Sequence, residues 1–278
     1  MNTLAIDIGG TKFSMALFEG DRMAVRESRA TDREGGKEWM LAQIAAIGKS
    51  WRFERSGIGF GGPVLFEQQR AALSTHVGGW SDFALAAAVS EMFGVPALMD
   101  NDANVGALGE AVHGAGKGCD PLFYMTLSTG IGGGIIADGK IYRGADSYAG
   151  EIGHVTIAPD GPECLCGSRG CFERMCGGLW LERDYGKPAK EMLRDPVFIE
   201  RYVVQLAAGM RTAIMMLNPA RIVIGGGIAK AGESLFGPLR AELRRRMTAW
   251  SRARVDVQPA ALGDDSVLYG ALELARGL

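Results

Sequence analysis

Hydrophobic positions fall in short dense blocks over the first thirty residues: 4–8, 13–18 and 23–27 each carry the apolar run of a strand. The residues between them are turn formers, Gly9-Gly10-Thr11-Lys12 and then Gly20-Asp21, so the spacing predicts a meander of three consecutive strands. Beyond it the pattern predicts a helix over 37–47, a short strand over 57–60, a helix over 82–93, a strand over 97–100 and a helix from about 103 to 113.

After the glycine-rich residues 114–118, the best candidate for a hinge, the order starts again. Residues 122–127 read as a strand, 128–133 as a glycine turn and 134–137 as a returning strand. Phe198, Tyr202, Leu206, Met210, Ile214 and Leu217 then recur at steps of three or four, which predicts a long amphipathic helix. A strand over 221–224 runs into Gly225-Gly226-Gly227, and helices near 234–248 and over 267–275 follow. Two halves that each open strand, glycine turn, strand predict a duplicated α/β architecture rather than one doubly wound sheet. The expected division is a small N-terminal α/β domain, 1–114, joined by a C-terminal helix at 266–278, and a larger α/β domain, 115–265, carrying a metal-binding loop at 154–171.

Composition narrows the function. The 278 residues are 47% apolar and 22% charged, an ordinary globular balance with length for two domains. A formal charge of −2 supplies no global field toward nucleic acid or an anionic membrane. The arginines at 240, 244, 245, 246, 252 and 254 read as a solvated helix face. The N-terminus lacks a basic region and a continuous apolar core, so no signal peptide is expected, and the longest uncharged stretch, 121–137, is too short and too rich in glycine for a membrane span. The expected location is cytoplasmic. Glycine, at 41 residues, is about 15% of the chain, roughly twice the usual ~7%. It clusters after apolar runs, where tight turns bring backbone close to something.

Two phosphate motifs are set aside. Gly57 to Gly62 spells G-x-G-x-x-G, but Pro63 follows rather than a helix, and Gly134 to Lys140 approaches a P-loop with Ile141 where a hydroxyl should stand, so it reads as strand plus hairpin turn. What remains is Asp7-Ile8-Gly9-Gly10-Thr11-Lys12 in one half and Ser128-Thr129-Gly130-Ile131-Gly132-Gly133 in the other. Backbone N–H groups with Thr11, Ser128 and Thr129 can surround phosphate oxygens. Two such turns facing each other across a cleft would hold a nucleoside triphosphate; two ligand-free β-turns would use the same residues. Asp102 follows Asn101 between a predicted strand and a predicted helix, a place suited to a plain N-cap and equally to a carboxylate that accepts a hydroxyl proton in phosphoryl transfer.

The strongest local signal is Glu151-Ile152-Gly153-His154 followed by Cys164-x-Cys166 and Cys171, with Glu173 two residues on. Three cysteines within eight residues, and a histidine ten residues earlier, make a Cys3His set suited to tetrahedral Zn²⁺. With four protein ligands such a zinc is structural. Cys119 and Cys176 read as ordinary thiols.

Together these residues resemble the ROK family of sugar kinases and sugar-responsive repressors, within the actin-like, ribonuclease H-like ATPase fold of two domains around a cleft. Gly150-Glu151-Ile152-Gly153-His154 with Cys-x-Cys-Gly-x-x-Gly-Cys-x-Glu looks like the family signature. The resemblance implies an ATP-dependent hexose kinase with Asp102 as general base and with Gly62, Asn101, Glu151, His154 and Glu173 around the sugar. It implies Asp7 near the Mg²⁺ that accompanies ATP, and Gly9, Gly10, Thr11, Lys12, Ser128, Thr129, Gly130, Gly132 and Gly133 around the phosphates. Gly226 and Gly227 would lie on the adenosine side, His154, Cys164, Cys166 and Cys171 would hold zinc, and the protein would be a homodimer. Where family glucokinases commonly carry Asn-Leu-Pro-Gly-Trp, this chain has His76-Val77-Gly78-Gly79-Trp80, which leaves open whether the sugar is glucose, mannose, fructose or an N-acetylated hexosamine. The stretch between Cys176 and Arg201 is short for the family. The alternatives are a non-enzymatic sugar sensor, whose relatives place a helix-turn-helix before this fold where Leu4 already starts a strand here, and an ATPase acting on no sugar.

Overall fold

In the computed structural model, which describes residues 1–74, 77–249 and 256–278, the chain forms two units: residues 1–113, 143–149 and 265–278 make the first, and 114–142 with 150–264 the second. The opening meander forms where the spacing predicts it, with β1 (Asn2–Ile8) antiparallel to β2 (Lys12–Glu19) and β2 antiparallel to β3 (Arg22–Ala30). Helix α1 (Gly36–Gly48) leads to β4 (Arg55–Phe60), which lies parallel to β1 on its other side. A hairpin of β5 (Val64–Leu65) and β6 (Arg70–Ala71), helix α2 (Leu85–Phe93), strand β7 (Ala97–Asn101) and helix α3 (Asp102–His113) complete the run, and the sheet order is β3-β2-β1-β4-β7.

Both faces of this sheet are covered, so its inner strands are apolar on both sides. Leu4, Ile6 and Ile8 of β1 pack with Met40 and Ile44 of α1 and with Leu85 and Val89 of α2, while Ala5 faces the other way among Ala16, Phe18, Val105 and Leu268. On that second face glycine sets the distance between layers. A Cβ on Gly57 would stand 1.9 Å from the Ala271 carbonyl, one on Gly109 2.1 Å from the Ser266 carbonyl, and one on Gly270 1.7 Å from the Val105 carbonyl. Part of the glycine excess therefore serves packing inside strands and helices, where turns were expected.

The second unit repeats the plan. β8 (Leu122–Leu127), β9 (Ile131–Ala137) and β10 (Lys140–Ile141) form the meander, and three short helices follow, α4 (Phe172–Cys176), α5 (Gly178–Tyr185) and α6 (Ala189–Met192). Then come α7 (Pro196–Leu217), β11 (Arg221–Gly225), α8 (Glu233–Arg246) and β12 (Val257–Pro259), with sheet order β10-β9-β8-β11-β12. In each sheet three meander strands are extended by two parallel ones. Helix α9 (Ser266–Arg276) belongs to the first unit. Tyr202, Leu206, Met210 and Ile214 form the buried stripe of α7, whose start is fixed by Asp195 accepting from the Val197 N–H at 2.9 Å, with Pro196 in the first turn.

Three expectations change. The helix expected from residue 82 begins at Leu85, because Asp82 has φ 50 and its carboxylate takes Arg70 Nε at 2.6 Å. The strand expected from 134 begins at Ile131, so Gly132 and Gly133 lie in β9 opposite Thr126 and Met125, and the turn shrinks to Ser128, Thr129 and Gly130. The region 172–192, to which the pattern assigned no element, holds α4 to α6, each too short for its periodicity to register. Arg240 pairs with Glu233, and Arg245 and Arg246 pair with Glu242; Arg252, Arg254 and His76 lie outside the described residues. Among the described residues no helix is long and apolar enough to cross a membrane.

Candidate active site and metal centre

β1 ends at Ile8 and the chain reverses through Gly9, Gly10 and Thr11. The Gly9 N–H donates to the Lys12 carbonyl at 3.1 Å, and a Cβ on Gly9 would stand 2.6 Å from that oxygen. Thr31 Oγ1 donates to the Gly9 carbonyl at 2.8 Å, Arg33 Nε to the Gly10 carbonyl at 3.0 Å and the Thr31 N–H to the Thr11 carbonyl at 3.0 Å. Thr11 and Lys12 are exposed at the tip, and Asp7 stands in β1 between Ser14 and Gly59.

The neighbouring strand β4 delivers Gly61 and Gly62 beside this turn. The Gly61 N–H donates to the Ile8 carbonyl at 2.8 Å, and a Cβ on Gly61 would stand 3.5 Å from both the Gly9 Cα and Asp102 Oδ2. The glycine turn, the Gly61-Gly62 loop and the Asp102 carboxylate thus meet at one point of the first unit. The N-cap of α3 is Asn101, so Asp102 is the first residue of the helix. Asn101 Oδ1 accepts from the Ala103 N–H at 3.0 Å and the Asn104 N–H at 3.3 Å, while its Nδ2 donates to the Gly62 carbonyl at 3.0 Å. Asp102 Oδ1 shares the Ala103 N–H at 2.8 Å, which turns Oδ2 toward Gly61.

In the second unit the corresponding turn is braced from several sides. The Ser128 N–H donates to the Gly130 carbonyl at 3.0 Å, and the Gly178 and Leu179 N–H groups donate to the Ser128 and Thr129 carbonyls at 2.8 and 3.0 Å. Gly226, at φ 91, stands where a Cβ would lie 2.4 Å from the Leu127 carbonyl, and a Cβ on Gly227 would reach Ser128 Oγ at 3.7 Å. Glu173 Oε2 accepts from the Ile131 N–H at 2.8 Å and lies against Gly130. The segment carrying Glu151 and His154 lies on β9 only because glycines meet there: a Cβ on Gly150 would be 2.4 Å from the Gly133 carbonyl, and one on Gly153 2.1 Å from the Ile131 carbonyl. Burial raises the Glu151 carboxyl above the usual range, against the opposing charge of His154 and with a smaller push from Glu173.

The donor atoms of His154, Cys164, Cys166 and Cys171 all lie within 4.8 Å of one another. Cys166 Sγ is 3.6 Å from Cys171 Sγ, and Cys164 Sγ is 4.0 Å from His154 Nδ1. A tetrahedron with metal–sulfur bonds of about 2.3 Å has sulfur–sulfur edges of about 3.8 Å, so the set fits a zinc-sized cation. The loop is shaped for it by Gly167 and Gly170, at φ 90 and 59, and by the Cys164 N–H donating to the Ser168 carbonyl at 2.8 Å. Burial pushes the Cys171 thiol up to about 12 and also raises Cys164, whereas at Cys166 burial is outweighed by hydrogen bonds, which lower it; a bound cation would favour the thiolate at each. Cys119 and Cys176 lie outside the cluster; Cys176 is buried under Tyr202, whose hydroxyl donates to its carbonyl at 2.8 Å.

One group of residues beside Asp102 went unread in the sequence. Asp100 is buried at 1% exposure and is paired with Arg143, whose Nε lies 2.7 Å from Asp100 Oδ2 and whose guanidinium stacks 3.5 Å over Phe66. The available signal was an acid inside a buried strand run; its partner lies 43 residues on, beyond the reach of any local pattern.

The model of the ROK family matches residues 3–277. A glucokinase of Thermotoga maritima is 31% identical over 99% of this chain and 98% of its own length. A xylose repressor of Bacillus subtilis is 28% identical over 77% of this chain and 59% of its own. Among solved structures, a ROK family glucokinase of Streptomyces griseus, crystallised with glucose and AMPPNP, superposes with a TM-score of 0.87 at 30% identity, covering 100% of both chains. The fold is that of the actin-like ATPases, duplicated as the two equivalent sheets require.

Proposed function

The chain belongs to the ROK family, and we propose that it is a sugar kinase transferring the γ-phosphate of ATP to the primary hydroxyl of a glucose-like hexose. The observation that carries the proposal is the division of labour at β7's end. Asn101 takes the helix cap and the bond to Gly62, and Asp102 turns Oδ2 toward Gly61 and the Gly9 turn. Asp102 Oδ2 accepts the hydroxyl proton as the sugar oxygen bonds to phosphorus and ADP leaves. Asp7 is assigned to the Mg²⁺ that accompanies ATP and supplies charge neutralisation when bound.

The phosphates are assigned to Gly9, Gly10, Thr11 and Lys12 of the first unit and to Ser128, Thr129 and Gly130 of the second, with Gly132 and Gly133 acting through the backbone of β9. Gly226 and Gly227 are assigned to the nucleoside side. Gly62, Asn101, Glu151, His154 and Glu173 are assigned to the other sugar hydroxyls. His154 can serve both tasks, since Nδ1 is the ring nitrogen toward Cys164 and Nε2 is the other one. Zinc held by His154, Cys164, Cys166 and Cys171 is structural and fixes the loop between Glu151 and Glu173.

The test is ADP release with Mg²⁺-ATP across glucose, mannose, fructose, N-acetylglucosamine and N-acetylmannosamine, beside a control without sugar. Turnover on one sugar supports the kinase and names its substrate; sugar-independent turnover overturns it. Asp102→Asn is expected to lower kcat by about 10²–10⁴ with sugar binding retained, and a near-normal kcat would remove Asp102 from the role of base. The similarity to the xylose repressor favours a second reading, sugar binding without transfer. Calorimetric sugar binding with no ADP release on any of the five sugars would select it.

A further inference from the structure

The chain leaves the second unit after Tyr142, spends residues 143–149 in the first, and re-enters the second at Gly150. Two side chains hold that excursion. Arg143 Nε donates to Asp100 Oδ2 at 2.7 Å with its guanidinium over the Phe66 ring, and Ser147 Oγ accepts from the Phe66 N–H at 3.2 Å. We propose that Arg143 is a positioning residue for catalysis, acting through Asp100 and Phe66 to fix the Asn101-Asp102 pair against the Gly61-Gly62 loop. The proposal rests on the reading of Asp102 as the base.

Asp100 carries the argument on one side. Its carboxylate collects three donors, Arg143 Nε, the Asn101 N–H at 2.7 Å and Asn104 Nδ2 at 3.1 Å. The second of these grips the Asp100–Asn101 peptide, one peptide before the one that enters Asp102, and the third grips Asn104 in the first turn of α3. A buried carboxylate keeps such a grip only while its charge is compensated, and Arg143 is the cation that compensates it. Phe66 carries the argument on the other side, for it sits in the hairpin that follows Gly61, Gly62 and Pro63. Gln69 closes the ring: its Nε2 donates to the Phe66 carbonyl at 2.6 Å while its Oε1 accepts from the Met99 N–H at 2.7 Å, one residue before Asp100. One guanidinium therefore touches both walls, the strand end that presents Asp102 and the hairpin behind the loop that Asp102 faces. The requirement is geometric, since displacing a catalytic group by about 1 Å costs about 10²-fold in rate.

The test compares wild type, Asp102→Asn, Arg143→Met and the double variant Asp100→Asn/Arg143→Met, using ATP and the sugar on which wild type releases ADP. Arg143→Met is expected to lower kcat by about 10- to 100-fold while sugar KM stays within about threefold, and to melt earlier because Asp100 is left unpaired. The double variant leaves no buried unpaired charge, so it is expected to regain melting temperature without regaining kcat. It also keeps the question answerable if Arg143→Met fails to fold. Recovery of kcat together with melting temperature, or an Arg143→Met protein with lowered stability and unchanged kcat, makes the pair a structural bond only and overturns the proposal. Normal turnover by Asp102→Asn, or a wild type that phosphorylates no sugar, overturns the base reading instead and takes this inference with it.

Discussion

At the β1–β2 turn the carbonyls of Gly9, Gly10 and Thr11 are bound by residues 31 and 33, which follow directly on β3. At the β8–β9 turn the support comes from far along the chain: Glu173 on the Ile131 N–H, residues 178 and 179 on the Ser128 and Thr129 carbonyls, Gly226 against Leu127 and Gly153 against Ile131. The first turn is held by two side-chain hydrogen bonds and one backbone bond at a half-exposed edge, where water can replace a lost partner. The second adds to the Glu173 bond and two backbone bonds a set of places where backbone lies on backbone and no Cβ fits, and nothing can replace those close contacts. Similar strand-turn-strand openings thus give one turn that can adjust and one that is set in advance.

Metal removal should separate the two most strongly. Glu173 lies two residues beyond Cys171, so the clamp on Ile131 depends on the loop the Cys3His cluster closes. Protein purified without added zinc is expected to hold about one Zn²⁺ per chain. After chelation, amide exchange over 127–133 and 150–178 should accelerate by about tenfold or more while 2–19 stays protected. Equal acceleration in both regions, or a fully folded protein with no metal, would show that the second turn does not depend on the cluster.

A single methyl group probes the same difference on a smaller scale. Gly153→Ala drives a Cβ to 2.1 Å from the Ile131 carbonyl, and the strand beyond it is paired on β8 and cannot retreat. A loss of about 3 kcal/mol or more is expected. Gly9→Ala meets only the Lys12 carbonyl of its own turn, at 2.6 Å, and that turn can open, so about 1–2 kcal/mol is expected there. Chemical denaturation of both variants checks the order, and a reversed order would refute the distinction between a fixed and an adjustable turn.

The parts legible in the sequence were those with local or compositional signatures. The meander, the stripe from Tyr202 to Ile214 and the Cys3His spacing each carry their signal within one element or loop, and the structure has them. What the sequence hid depends on partners distant in the chain. Gly133 looked like a turn residue, because nothing local reveals that Gly150 will lie on the strand and exclude a Cβ there. Asn101 and Asp102 are adjacent polar residues, and the cap falls to Asn101 because its Oδ1 receives the Ala103 and Asn104 N–H groups while its Nδ2 is held by the Gly62 carbonyl, 39 residues earlier. Asp100 and Arg143 form an ion pair that no spacing rule connects.

The smallest expected effect lies at the adjustable turn. Thr31→Val keeps the shape of the side chain and removes the hydroxyl that donates to the Gly9 carbonyl at 2.8 Å, leaving the backbone bond from the Thr31 N–H to Thr11 in place. Thr31 is half-buried, so water can reach the freed carbonyl. The net loss should be that of one ordinary hydrogen bond, about 0.5–1.5 kcal/mol, read as a fall in melting temperature of about 1–6 °C. Because the turn bends back onto Lys12 through its own Gly9 bond, the KM for ATP should rise less than about threefold, under 1 kcal/mol, with kcat unchanged. A tenfold or larger rise in that KM would mean that the Thr31 hydroxyl holds this turn as firmly as Glu173 and the glycine contacts hold the other, and the contrast between the two turns would fall with it.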